Sequence, residues 1–151
     1  MELATFGAGC FWQVEAALRR VSGVRSTSVG YMGGHFANPC HLDVAARITG
    51  HAEVAQAEFD PAIVAYEDLL GIFWQIHDPT SLNRQGADRG EQYRSVIFCH
   101  TPMQMQVAKQ SKLQQERSGK YDLPIVTEIQ SAGDYWLASE EHQQYLEKKK
   151  R

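Results

Sequence analysis

The chain has 151 residues, 43% of them hydrophobic and 22% charged, with a formal net charge of −3. That length and mixture fit one globular domain, residues 1–151, with a sizeable core, and exclude a disordered chain. Lys148 to Arg151 are all basic, which leaves 11 Lys and Arg against 18 Asp and Glu in the body, a charge of −7 that argues against nucleic acid as a partner.

No apolar run approaches membrane-spanning length, and the first residues lead into a strand pattern rather than a signal-type segment, so the expectation is a cytoplasmic monomer with no membrane contact. The basic end reads as a solvated helix terminus whose cations complement the helix dipole. Cysteines at positions 10, 40 and 99 are too few and too scattered for a disulfide framework, and no C-x-x-C pattern occurs.

Leu3 to Ala8 reads as a short strand that stops at Gly7-Ala8-Gly9. Phe11, Val14, Leu18 and Val21 then recur at helical spacing, with Glu15 and Arg19 placed as an i,i+4 ion pair. Cys10 sits at the junction. A helix N-terminus carries unpaired N–H groups and a partial positive charge, so a thiol there is expected to ionise more readily than a free one, which makes Cys10 the candidate nucleophile. Phe11 and Trp12 offer an apolar wall for a small group such as a methyl. The alternative is that all three are ordinary packing residues of the first helix.

Val24 to Tyr31 is a second strand, and a loop runs from Gly33 to about Thr49 carrying Cys40 and His41. From His51 to Phe59 the residues alternate, placing Glu53 with Ala55, Ala57 and Phe59 on the more apolar face. A carboxyl there loses hydration, has its pKa raised, and is available as a general acid near neutral pH. The alternative is a structural pair with an arginine such as Arg94. Asp60-Pro61 suits a helix start, Tyr66, Leu69, Leu70, Phe73, Trp74 and His77 come next at helical spacing, and Pro79 enforces the stop.

Thr80 to Gln92 is a polar loop holding Asp88, and Tyr93 to Cys99 is a strand; Asp88 and Tyr93 supply a carboxylate and a phenolic donor. Thr101-Pro102 opens a helix to about Ser118, Ile125 to Ile129 gives one more strand, and Ser139 caps a final helix through Tyr145 and Leu146. This order implies an α+β fold: a two-layer α/β sandwich with a mixed sheet and a split-βαβ, ferredoxin-like core, helices on one face. His35, Cys40, His41 and His51 match no common zinc spacing, so no metal is expected.

Several stretches together carry a specific resemblance. Gly9-Cys10-Phe11-Trp12, Gly30-Tyr31-Met32-Gly33-Gly34, Thr49-Gly50-His51-Ala52-Glu53-Val54, Phe73 to Thr80, Asn83 to Asp88, Gln92-Tyr93-Arg94-Ser95 and His142-Gln143-Gln144-Tyr145-Leu146 resemble, in order and over nearly the whole chain, the A-type peptide methionine sulfoxide reductases. The resemblance implies that Cys10 attacks the sulfur of an S-configured methionine sulfoxide, free or in a protein, releasing methionine and leaving a sulfenic acid. It implies that Glu53 protonates the oxygen, that Phe11 and Trp12 hold the ε-methyl, and that Asp88 and Tyr93 help bind substrate. A second thiol then condenses with the sulfenic acid, and an external thiol reductant, thioredoxin in the family or dithiothreitol, resets the enzyme with no bound cofactor.

Two departures stand out. Where the family has a tyrosine near the sulfoxide oxygen, Asn38-Pro39-Cys40 is followed by His41, which either replaces that donor or weakens the site. Many relatives carry resolving cysteines in a glycine-rich tail, whereas this chain ends Glu147-Lys148-Lys149-Lys150-Arg151, and position 45, often cysteine, is Ala45. Cys40 is the internal candidate for the resolving thiol, with Cys99 or an outside thiol as alternatives. The rival reading of the whole chain is a non-catalytic module that binds oxidised methionine segments.

Overall fold

The structure, a computed structural model, describes residues 1–149; Lys150 and Arg151 of the basic end lie outside the described residues. Its frame is a pair of interleaved β-α-β units. Strand β1 (Glu2–Ala8), helix α1 (Phe11–Arg19) and β2 (Val24–Met32) form the first; β3 (Ala52–Phe59), α3 (Tyr66–Gln75) and β6 (Ser95–Cys99) form the second. β3 pairs antiparallel between β1 and β2, and β6 pairs antiparallel on the other side of β1, which is the split-βαβ arrangement. Two edges extend it: β7 (Glu128–Ser131) runs parallel to β6, and β8 (Trp136–Leu137) antiparallel to β2, giving the mixed order β7-β6-β1-β3-β2-β8.

The helices lie on one face, as the sequence pattern requires. Ala55, Ala57 and Phe59 of β3 pack with Phe11, Val14 and Leu18 of α1, Leu69, Leu70, Phe73 and Trp74 of α3, and Ala108 of α4 (Pro102–Arg117). Each large apolar side chain removed from water here contributes roughly 1.5–3 kcal/mol. The opposite face is smaller: Met32, Ala52, Val54, Val96 and Phe98 are covered by Ala132 and Tyr135 rather than by a helix.

Several boundaries differ from the sequence expectation, each for a local reason. Asp60 does not start α3. Its carboxylate accepts from the Ala62 N–H (2.9 Å) in a closed turn, and the helix begins at Tyr66, where the Asp68 carboxylate accepts from the Ala65 N–H (3.1 Å). The loop from Gly33 contains a short helix α2 (His41–Ala45), and the polar loop folds into a hairpin, β4 (Arg84–Gln85) with β5 (Asp88–Arg89), followed by a 3-10 turn at Glu91–Tyr93. Tyr93 therefore precedes β6 instead of opening it. The expected strand at 125–129 is β7, shifted to Glu128–Ser131. The final helix is a 3-10 turn, Glu140–His142, and then a short α5 (Tyr145–Lys149).

The Glu15–Arg19 pair does not form. Glu15 turns inward and is 1% exposed, while Arg19 donates to the Thr27 hydroxyl (3.2 Å). At the basic end, Lys148 pairs with Glu140 (3.1 Å).

Candidate active site

Cys10 occupies the N-cap of α1, reached through Gly9, whose φ of +89° would strain any other residue. A Cβ at Gly9 would also sit 3.0 Å from the Gln85 side chain, because hairpin β4–β5 lies directly against this turn. Gln85 in turn exchanges two bonds with the Asp78 backbone (2.9 and 2.8 Å), which ties the hairpin to the end of α3.

The thiol is half-buried, and burial pushes it up to about 11. The Trp12 and Gln13 N–H groups at the helix start oppose this, whereas the negative charges of Glu53 and Asp88 add to it. The expectation of a readily ionised thiol is thus corrected for the substrate-free protein. The helix terminus acts in the expected direction, but dehydration outweighs it.

Glu53 lies beside it on β3, only 3% exposed, its Oε1 accepting from the Phe11 N–H at 3.4 Å. Burial raises its pKa to about 7, the Phe11 N–H opposing and the Asp88 charge adding. Among the described residues the carboxyl has no arginine partner: Arg94 instead meets Glu128 (3.5 Å) and donates to the Glu91 carbonyl (2.9 Å). Across the strands Glu53 faces Tyr31, whose buried hydroxyl has no hydrogen-bond partner among the described residues and whose pKa is raised by burial and by the Glu53 charge.

Aromatic rings roof these two groups. Phe11 is buried, 5.7 Å from Tyr31 and 6.5 Å from Trp12 between ring centroids. Trp12 is partly exposed, and Tyr145 stacks flat on it at 3.8 Å and 10°. His142 approaches Phe11 (5.6 Å) and Trp12 (5.8 Å), and burial lowers its pKa, with the neighbouring His41 acting in the same direction. The sequence alone assigns no role to His142 or Tyr145. Their place in the motif at 142–146 is visible there, but not that the chain returns at that point to α1.

His41, the first residue of α2, brings Nε2 to 3.9 Å from Glu53 Oε2 and its ring meets that of His142, tilted, at 4.8 Å. Cys40 caps the same helix, exposed, its N–H bonded to Asp43 (3.0 Å). The loop around it is fixed by buried His51, which accepts from the Gly34 N–H (2.9 Å) and meets the Phe36 carbonyl (2.7 Å). Asp88 projects from the hairpin near enough for its charge to raise both Cys10 and Glu53, and Tyr93 is raised by burial and by Glu53, Asp88 and Cys10.

Cys99 is placed elsewhere. It lies one residue beyond the Thr5–Phe98 pair, level with Ala4 in the middle of β1 and roughly 13 Å along that strand from the Ala8 end that leads to Cys10. Among the described residues no three His, Cys, Asp or Glu side chains form a group that could hold a metal ion, and no helix is long and apolar enough to cross a membrane.

A thiol at a helix start, a buried acid beside it and aromatic rings nearby are groups of the kind a cysteine-based catalyst uses. The model of the family described as peptide methionine sulfoxide reductase matches residues 2–151. The peptide methionine sulfoxide reductase MsrA 1 of Nostoc sp. (strain PCC 7120) is 68% identical over 148 residues, covering 98% of this chain and 91% of that protein. Among solved structures, reduced Mxr1 of Saccharomyces cerevisiae superposes with a TM-score of 0.89 at 31% identity, covering 99% of this chain and 86% of that one. Methionine sulfoxide reductase A of Corynebacterium diphtheriae gives 0.86 at 35%, covering 97% and 74%. Mxr1 has also been solved in complex with Trx2, where the likeness is a TM-score of 0.64 at 24% identity over 95% and 84% of the two chains. The chain belongs to the peptide methionine sulfoxide reductase family, of the A type, and is an oxidoreductase acting on the sulfur of oxidised methionine.

Proposed function

We propose that Cys10 attacks the sulfur of an S-configured methionine sulfoxide while Glu53 delivers a proton to the departing oxygen. The supporting observation is the buried carboxyl, raised to about 7 and bonded to the amide next to the thiol. A sulfoxide oxygen leaves poorly unless its developing charge is neutralised, and an acid half-protonated near pH 7 is suited to that transfer. Protonated Glu53 also no longer carries the charge that raises Cys10, so the acid and the nucleophile become competent together.

The step balances without another reagent. The sulfoxide S–O bond breaks, oxygen passes to Cys10 as a sulfenic acid, the cysteine sulfur loses two electrons and the methionine sulfur gains them. The thiol proton replaces the one that Glu53 gave up. Phe11 and Trp12 receive the methyl group, and His41, Asp88 and Tyr93 orient the substrate from the rim. With both thiol and acid in place, the non-catalytic binding reading has no supporting observation.

Cys40 is the resolving thiol in this reading. It is exposed and sits on the element that also brings His41 to Glu53, whereas Cys99 is buried and its register on β1 sets it away from the end that leads to Cys10. Condensation with the sulfenic acid expels water and forms a Cys10–Cys40 disulfide, which an external dithiol of the thioredoxin kind reduces. The test is to incubate the protein with R and S sulfoxide peptides, with dithiothreitol or with thioredoxin and its reductase, and to map disulfides by mass spectrometry. Consumption of the S epimer alone, under both reductants, with a Cys10–Cys40 disulfide in their absence, is the expected result. Equal use of both epimers, or no turnover, refutes it.

A further inference from the structure

Helix α1 holds a buried carboxylate that this reaction does not use. Glu15 Oε2 accepts from the Thr27 hydroxyl at 2.8 Å, and Oε1 accepts from the Gln144 backbone N–H at 2.7 Å. Gln144 has a φ of +51°, a left-handed conformation unfavourable for a side-chain-bearing residue, at the joint between the 3-10 turn and α5. A side-chain acceptor on that N–H stabilises the joint.

The neighbouring Gln143 is fastened too. Its Oε1 accepts from Val29 N–H (2.8 Å), and its Nε2 donates to the Val29 and Ala138 carbonyls (2.8 and 2.9 Å). The segment is therefore fixed to β2 and α1 at two successive residues. The rings immediately before and after them, His142 and Tyr145, are the ones that lie on Phe11 and Trp12. Glu15 is three residues from Trp12, so one side of α1 presents both the indole and the carboxylate holding the segment against it.

We propose that Glu15 is a positioning residue for the methyl-binding wall: through Gln144 it fixes His142 and Tyr145 on Phe11 and Trp12, and so sets the width available to the alkyl group on the sulfoxide sulfur. This rests on the reading of Phe11 and Trp12 as that wall. A carboxylate is suited to the task because it bonds the strained joint and the Thr27 hydroxyl at once, leaving neither of its oxygens empty.

The test compares KM, single-turnover rate and the preference for methionine sulfoxide over ethionine sulfoxide peptides. Glu15→Ala should raise KM about tenfold and lower the methyl-over-ethyl preference about fivefold, consistent with losing one buried hydrogen bond at a pocket wall. Glu15→Gln should stay within about twofold of wild type, because its amide oxygen still accepts from Gln144 and its NH2 can donate to Thr27. Adding Gln144→Gly to Glu15→Ala should recover most of the preference, since glycine takes the left-handed joint without strain. A general weakening of α1 would not be restored that way. Should Glu15→Ala fold poorly, Glu15→Asp, one methylene too short, serves instead with a smaller effect of the same sign. A folded variant with wild-type KM and preference overturns the proposal. Trp12→Ala separates the two levels: if it erases the preference while Glu15→Ala does not, only the role of Glu15 falls, and if it leaves the preference intact, the wall falls and Glu15's role with it.

Discussion

Glu53→Gln separates what the buried acid costs the fold from what it gives the reaction. Burial raises the carboxyl from 4.5 to about 7, so between those values the folded protein keeps a proton that the unfolded chain has released. Below about pH 4 the group is neutral in both states, and its burial carries no charge penalty. Above pH 7 it is ionised in both, and the folded state bears the whole penalty, so stability falls as pH rises through this window. The rise from 4.5 to about 7 corresponds to about 3 kcal/mol. Glutamine is neutral throughout, and its amide oxygen can still accept from the Phe11 N–H. The variant should therefore be more stable than wild type by about 2–3 kcal/mol at pH 8 and equal to it near pH 4, measured by urea unfolding followed by circular dichroism. His77, pushed down to about 4 by burial, destabilises both proteins alike in acid and drops out of the difference. The same variant should lose about two to four orders of magnitude in single-turnover sulfoxide reduction, the usual reach of general acid catalysis. Its Cys10, relieved of a neighbouring negative charge, should react faster with iodoacetamide at pH 8. A stability difference independent of pH, or a reduction rate within threefold of wild type, refutes the assignment.

Cys10→Ser should abolish turnover while leaving the circular dichroism spectrum unchanged, because a hydroxyl is far less ionised and less nucleophilic than a thiol; substantial residual reduction contradicts the mechanism. Cys40→Ser should keep the first turnover, accumulate a dimedone-trappable sulfenic acid and lose recycling by thioredoxin, and normal recycling would make Cys40 a bystander. His41→Tyr should hold or raise turnover: the imidazole stops 3.9 Å from Glu53, beyond hydrogen-bond distance, and a phenol reaches farther. A loss above about tenfold in steady-state rate would show that the imidazole has a role of its own.

Period and punctuation make the frame legible. The alternation at 52–59 puts Glu53 on the helix-facing side without knowledge of any contact, and the 3.6-residue spacing from Tyr66 finds α3. Elements of two to five residues, such as the β4–β5 hairpin, α2 and β8, are too short to carry a period and leave no trace in the pattern. Asp60 misleads because one side chain can open a helix or close a turn, and the choice depends on the residues after it. The acidity expected of Cys10 fails for a different reason. Helix position is local and readable, while the burial that raises the thiol, and the Glu53 and Asp88 charges that add to it, come from residues distant in sequence. Glu15 shows the same limit: spacing offers Arg19 four residues away, and its actual partner is Gln144, 129 positions distant.

The sheet order also bears on synthesis. Strand β1 lies in the middle of the sheet, where its second neighbour is β6, about ninety residues downstream, and the rings that stack on Trp12 are His142 and Tyr145. A chain emerging from the ribosome therefore carries Cys10 with neither a complete sheet beneath it nor a roof above it until Tyr145 is free. Closing such distant pairs is slow relative to forming local helices, so the interval is not brief on the molecular scale. Throughout it the thiol lacks the burial that raises it to about 11 in the finished protein, and it is accordingly more exposed to oxidants before it can repair their damage than afterwards.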